Sequence, residues 1–204
     1  MSLLRRIVMV RHGETEGNSS VRFHGSADVP LCDEGRAQLR RSERTLRTEV
    51  FDLVVASSQR RSWEGAVIVS GGAPIRIESD FREIDFGRWE GLTAEEIEAS
   101  DPALYQDWQS DAANFDYPGG EPRAEFRARV KRGLDSLMAS GAASVLLVSH
   151  KGVIRAIGEQ LVGQPLSDGP ELGGVVSLSR GADDAWIEGR RSSNPPALAA
   201  AGVS

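Results

Sequence analysis

Ile7-Val8-Met9-Val10-Arg11-His12-Gly13-Glu14-Thr15 decides how this chain is read. Four apolar, mostly β-branched residues predict a strand buried on both faces, the kind found inside a parallel sheet. An arginine, a histidine and a glycine stand where the hydrophobic run stops. In open α/β sheets ligands bind in the crevice outside the carboxyl ends of the strands. Arg11 and His12 therefore fall at the ligand-binding edge, and Gly13 lets the backbone turn there. A fixed cation beside an imidazole suits an oxyanion such as phosphate.

Two further runs repeat the plan. Leu53-Val54-Val55 leads into Ala56-Ser57-Ser58-Gln59-Arg60-Arg61-Ser62, and Val145-Leu146-Leu147-Val148 leads into Ser149-His150-Lys151-Gly152. As parallel neighbours these strands would bring His12 and His150 to one edge, together with Arg60 or Arg61, which spacing alone does not separate. Gly152 opens a predicted helix whose free amides face the same edge and favour an anion. Lys151 either adds charge there or points to solvent.

Helical patterning over 34–48, 60–70, 122–139 and 152–162 alternates with these strands, and weaker strands at 75–77, 176–178 and 185–187 lie nearer the sheet margins. The expected fold class is α/β: a three-layer α/β/α sandwich on a mostly parallel central sheet. One domain over 1–190 is expected, followed by a flexible tail at 191–204 rich in Ser, Pro, Ala and Gly. The segment at about 80–120 lacks a regular period and carries turn residues among aromatics. It reads as an inserted roof over the site.

Composition narrows the function. The 204 residues hold 24 basic and 30 acidic side chains for a net charge of −6, which argues against nucleic acid or an anionic membrane as partner. All the basic residues but Lys131 and Lys151 are Arg, suited to gripping phosphate in a planar fork. The stripe Arg36, Arg40, Arg44, Arg47 is nevertheless read as a solvated helix face. Cys32 is the sole cysteine, so no thiolate metal cluster is expected and a reducing, cytoplasmic setting is; the thiol itself reads as a small buried hydrophobe. The apolar run after Arg6 is too short for a signal peptide. No acidic cluster has metal-ligand spacing, so neither metal nor cofactor is expected.

A neutral imidazole with one nitrogen held by an acceptor can attack phosphorus, which makes His12 the candidate nucleophile. Charge on the phosphoryl oxygens calls for fixed cations, of which Arg11 is one. A departing alkoxide needs a proton, and the roof offers Glu83, Asp85, Glu90, Glu95 and Glu96.

Together these motifs resemble the histidine phosphatase superfamily, in its phosphoglycerate-mutase-like branch. Arg11-His12-Gly13-Glu14-Thr15 with Asn18 resembles its signature, and Arg22, Gly25, Asp28, Pro30, Leu31 and Gly35 the stretch that follows, with His24 and Cys32 where glutamine and threonine are common. Phe81-Arg82-Glu83-Ile84-Asp85-Phe86-Gly87 is similar to the acid-bearing segment, Val148-Ser149-His150 to the second-histidine motif, and Pro118-Gly119-Gly120-Glu121 to another common stretch. Lys151 departs from a frequent glycine, and Ser58, Gln59 and Gly65 depart from the second-arginine motif.

The resemblance implies His12, Glu83, Arg11, Arg61 and His150 as catalytic residues and Asn18, Thr15, Gly25 and Gly152 as substrate-binding ones. It implies a metal-independent phosphomonoester hydrolase of the histidine acid type, working through a phosphohistidine on a small phosphorylated metabolite, with a homodimer allowed. A phosphoglycerate mutase is the alternative, followed by a non-catalytic phosphate-binding scaffold. Trp89, Trp108, Phe115 and Tyr117 either contact the substrate or anchor the roof.

Overall fold

The computed structural model describes residues 3–164, 166 and 169–192. A six-stranded sheet runs in the order β3-β2-β4-β1-β5-β6, with β1 Arg6–Arg11, β2 Leu53–Ser57, β3 Ile75–Glu78, β4 Ser144–Ser149, β5 Val175–Arg180 and β6 Trp186–Ser192. β1 to β4 are mutually parallel, β5 pairs antiparallel with β1, and β6 antiparallel with β5. β6 extends two residues past the expected start of the tail, and 193–204 lie outside the described residues.

Alternation along the strands builds the layers. Ile7, Met9, Val55, Val145 and Leu147 face one cluster, and Val8, Val10, Val54, Ala56, Leu146 and Val148 face the other. The first face is covered by α5 Arg123–Met138 and α6 Lys151–Val162, the second by α1 Asp33–Leu46 and α2 Arg60–Val69. The expected sandwich is therefore present. The roof is more regular than its sequence suggests, with 3-10 turns at Ser79–Phe81 and Gly87–Trp89 and two short helices, α3 Ala94–Ser100 and α4 Pro102–Ser110.

One sequence expectation, the buried Cys32, needs correcting at the start of α1, and the reason for Gly13 proves to be a close approach and not a left-handed turn. A Cβ there would lie 2.3 Å from the Gly35 carbonyl oxygen, and one on Gly35 would lie 1.9 Å from that of Glu14, so the loop after β1 packs backbone against backbone on the first helical turn. Cys32 is half-buried and caps α1, its Sγ accepting from the Gly35 amide at 3.5 Å. Sulfur is a weak acceptor, so Cys32→Ser should stabilise the fold by about 0.5–1 kcal/mol, read from urea denaturation. A loss of stability would show that the thiol packs better than it caps.

Candidate active site

Register puts the two histidines side by side. Arg11 pairs with Ser149, so the next residues, His12 and His150, leave adjacent parallel strands together. The His12 amide donates to the Ser149 carbonyl at 2.9 Å, and the imidazole centroids lie 5.1 Å apart. His12 Nδ1 lies 2.8 Å from the Gly13 carbonyl oxygen. A carbonyl only accepts, so Nδ1 carries the hydrogen and Nε2 keeps its lone pair. His150 Nε2 lies 2.9 Å from Ser57 Oγ, which also accepts the Gln59 amide, while His150 Nδ1 is buried without a protein partner.

The choice between the paired arginines is made by burial. Arg60 is exposed and turned to Glu64, its Nε 2.5 Å from Oε1. Arg61 is fully buried and donates to the carbonyls of Ala27 (2.6 Å), His24 (3.0 Å) and Gly25 (3.0 Å). Its Nε and that of Arg11 are buried with no partner in the protein. Orphaned buried donors are rare in folded proteins. Two arginine nitrogens of this kind near His12 are the mark of a site built for an anion.

Burial lowers the Arg61 pKa to about 10, with Glu83 the largest opposing influence. The imidazoles of His12 and His150 are both pushed well below the usual histidine value, first by burial and then by the positive charge of Arg61. The fold therefore favours the neutral form of both rings in the free protein. The unfolded chain takes up protons near pH 6.5 while these two residues in the fold do not, so stability falls as the pH drops below about 7. The slope should approach about 1.4 kcal/mol per pH unit for each imidazole. Thermal melts between pH 7 and pH 5 test this, and a flat profile would show both rings to be solvated.

Glu83 is nearly buried, and its carboxylate accepts the amides of Ile84 and Gly152, each at 3.0 Å. A Cβ on Gly152 would come within 2.4 Å of Glu83 Oε1, so this glycine makes room for the carboxylate. Its amide serves Glu83 instead of the expected anion. Gly25 likewise gives its amide to Glu90, at 3.1 Å from Oε1, instead of the cavity. Thr15 is buried with Oγ1 2.6 Å from Ser19 Oγ, bracing its loop. Asn18 is exposed, with φ +57°, and shapes a turn whose carbonyl accepts from Val21 and Arg22. None of Thr15, Asn18 or Gly25 lines the cavity, where Ser19 and Ser20 stand instead.

Three residues hold the acid segment: Arg129, which the sequence reading passed over, Gln59, noted there only as a departure from a motif, and Glu90, offered there as a candidate acid. Arg129 of α5, 6% exposed, donates to the carbonyls of Asp80 (2.9 Å), Arg82 (2.6 Å) and Glu83 (2.9 Å) and grips Glu121 with two bonds, of 2.6 and 2.7 Å. Gln59 accepts the Glu83 amide at 2.8 Å. Glu90 accepts the amides of Ser26 and Phe86 as well as that of Gly25. An arginine on the apolar stripe of a helix, beside Phe126, Val130 and Leu134, was the available cue.

The cavity above His12 holds about 340 Å³, toward the small end of ligand pockets. Arg11, His12 and Glu83 line it, as does Lys151, which therefore faces the site. The roof aromatics divide. Trp89 is fully buried, stacks on Phe115 at 5.1 Å and bonds Asp101, so it anchors the roof, whereas Trp108 and Tyr117 reach the cavity wall. Among the described residues, no cluster of three His, Cys, Asp or Glu could hold a metal, and no helix is long and apolar enough to cross a membrane.

Residues 7–180 match the histidine phosphatase superfamily (branch 1), and the chain belongs to that family. It is 34% identical over 195 residues to the glucosyl-3-phosphoglycerate phosphatase of Mycolicibacterium vanbaalenii, covering 91% of this chain and 84% of the relative. To the adenosylcobalamin/alpha-ribazole phosphatase of Salmonella typhimurium it is 33% identical, covering 78% and 81%. The solved structure of a mycobacterial glucosyl-3-phosphoglycerate phosphatase complexed with VO3 superposes with a TM-score of 0.81 at 31% identity, covering 93% of this chain and 98% of that one. These relatives are phosphatases of small phosphorylated molecules.

Proposed function

We propose that this protein is a metal-independent phosphomonoester hydrolase that forms a phosphohistidine at His12. The observation that carries the reading is the His12 tautomer: Nδ1 is tied to the Gly13 carbonyl, leaving the Nε2 lone pair to attack in line. Arg11 and Arg61 hold the phosphoryl oxygens through their unpartnered nitrogens. The Ser57 hydroxyl donates to His150 Nε2 and leaves a hydrogen on Nδ1, a third donor. Glu83 protonates the departing alkoxide, then takes a proton from the water that attacks phosphohistidine.

That the named relatives are phosphatases favours transfer to water over the mutase alternative. Their substrates make phosphorylated sugar acids and nucleoside-like phosphates the first compounds to try. Phosphate release from such a panel, with chelator present, is the test, and activity should persist. Strict dependence on magnesium would overturn the mechanism. Glu83→Gln should lower kcat/KM, which covers the steps up to loss of the alcohol, by about 10²–10⁴-fold on alkyl phosphates and far less on p-nitrophenyl phosphate, whose leaving group needs no proton. An equal loss on both would remove Glu83 from the role of acid.

A further inference from the structure

The cavity wall is strongly cationic for a protein of net charge −6. Arg11, Arg22, Arg123, Lys151 and Arg155 line it, with Glu83 as the single carboxylate among its described lining residues. Two of these cations are structural. Arg22 is bound to Glu96 (2.8 Å) and the Gly91 carbonyl (2.6 Å), and Arg123 to Tyr117 Oη (3.0 Å) and the Ala112 carbonyl (2.9 Å). Arg11 belongs to the phosphate end. Arg155 is exposed at the cavity wall, and among the described residues no carboxylate or carbonyl holds its guanidinium.

Its position relative to the chemistry is defined by α6. Lys151 and Arg155 are four residues apart and so share one face of the helix. Between them the amide of Gly152 meets Glu83 Oε2. The carboxyl assigned above to protonate the leaving oxygen therefore rests against the same turn from which both cations reach. Whatever that oxygen is attached to lies beside them. Lys151 packs its stem over Gly169 and lines the same wall.

We propose that Arg155, assisted by Lys151, forms a second anion subsite, so that the preferred phosphomonoester carries another anionic group, carboxylate or phosphate, on its alcohol part. The proposal rests on the phosphatase reading for the direction of the leaving group. A guanidinium that meets no carboxylate or carbonyl of the described residues matches either group through two parallel bonds, and a lysine one turn away stands on the same wall.

Calorimetric titration of His12→Ala, which binds without turnover, tests this with a matched set. 3-Phosphoglycerate, glycerol 3-phosphate and glycerol 1,3-bisphosphate share a three-carbon chain and differ at the far carbon as carboxylate, hydroxyl and phosphate. The two dianchored compounds should bind about tenfold tighter than glycerol 3-phosphate, and the stronger of them identifies the second group. Adding Arg155→Met should erase most of that preference and Arg155→Glu reverse it; the side chain is exposed, so neither change burdens folding. Equal affinities, a preference surviving Arg155→Glu, or no binding of any of the three would overturn the subsite. Release of phosphate is read separately, so an enzyme that hydrolyses esters without this discrimination would lose the subsite and keep the reaction.

Discussion

His12→Ala lowers kcat for phosphate release by at least about 10³-fold and abolishes any acid-labile, base-stable phosphoenzyme trapped during turnover. No other nucleophile can stand in for it. The Glu83 carboxylate is engaged by two backbone amides and His150 by Ser57, while Arg11 and Arg61 carry charge but no lone pair of use. The substitution leaves the fold intact, because it removes a desolvated ring whose only hydrogen bond among the described residues is to its own neighbour. Binding of inorganic phosphate should survive for the same reason, since its donors remain. Release within tenfold of the wild type would mean that water attacks phosphorus directly, and the covalent route would have to be abandoned.

Arg129→Ala should destabilise the protein by about 3–5 kcal/mol, lowering Tm by about 6–20 °C for a chain of this size. The cost follows from what is left behind. Glu121 loses both of its bonds to the guanidinium, and the carbonyls of Asp80, Arg82 and Glu83 lose their donor, the last of them in a buried bond. Arg129→Lys should recover only part, because a single ammonium cannot span Glu121 and three carbonyls in one plane. Differential scanning calorimetry decides the matter. A loss under about 1 kcal/mol would place the arginine among ordinary surface pairs.

The meeting of His12 and His150 at one sheet edge was legible because the strands that end there are buried on both faces. Ile7 to Val10 and Val145 to Val148 admit one reading, and the residue after each strand then falls at the crevice. The major helices were also close: 34–48 was expected and Asp33–Leu46 is found. The roof was not legible, because α3 and α4 are seven and nine residues long and α4 buries no side chain fully, so no apolar stripe marks either one. Spacing left Arg60 and Arg61 equal, and three-dimensional burial separated them. What the sequence did not show of two glycines is where their amides go. Gly152 lines the cavity and Gly25 does not, yet each gives its amide to a carboxylate of the protein, a pairing of distant segments that no local pattern encodes.

The stretch from Ser79 to Gly91 has two 3-10 turns but no strand or α-helix of its own, yet its backbone is bonded by Arg129, Gln59 and Glu90. Hydrogen exchange follows the opening of cooperative units and not the label given to a segment. An irregular strap stitched in this way opens only with α5 and the sheet, so its amides should be protected on the timescale of global unfolding. The carboxyl it carries is then held to the histidines with the rigidity of the core. α4, lacking a fully buried side chain, is left as the low-energy exit from the native ensemble. Traffic into the cavity and chemistry within it are in this way assigned to separate pieces of the roof, and a change that loosens the first need not disturb the second.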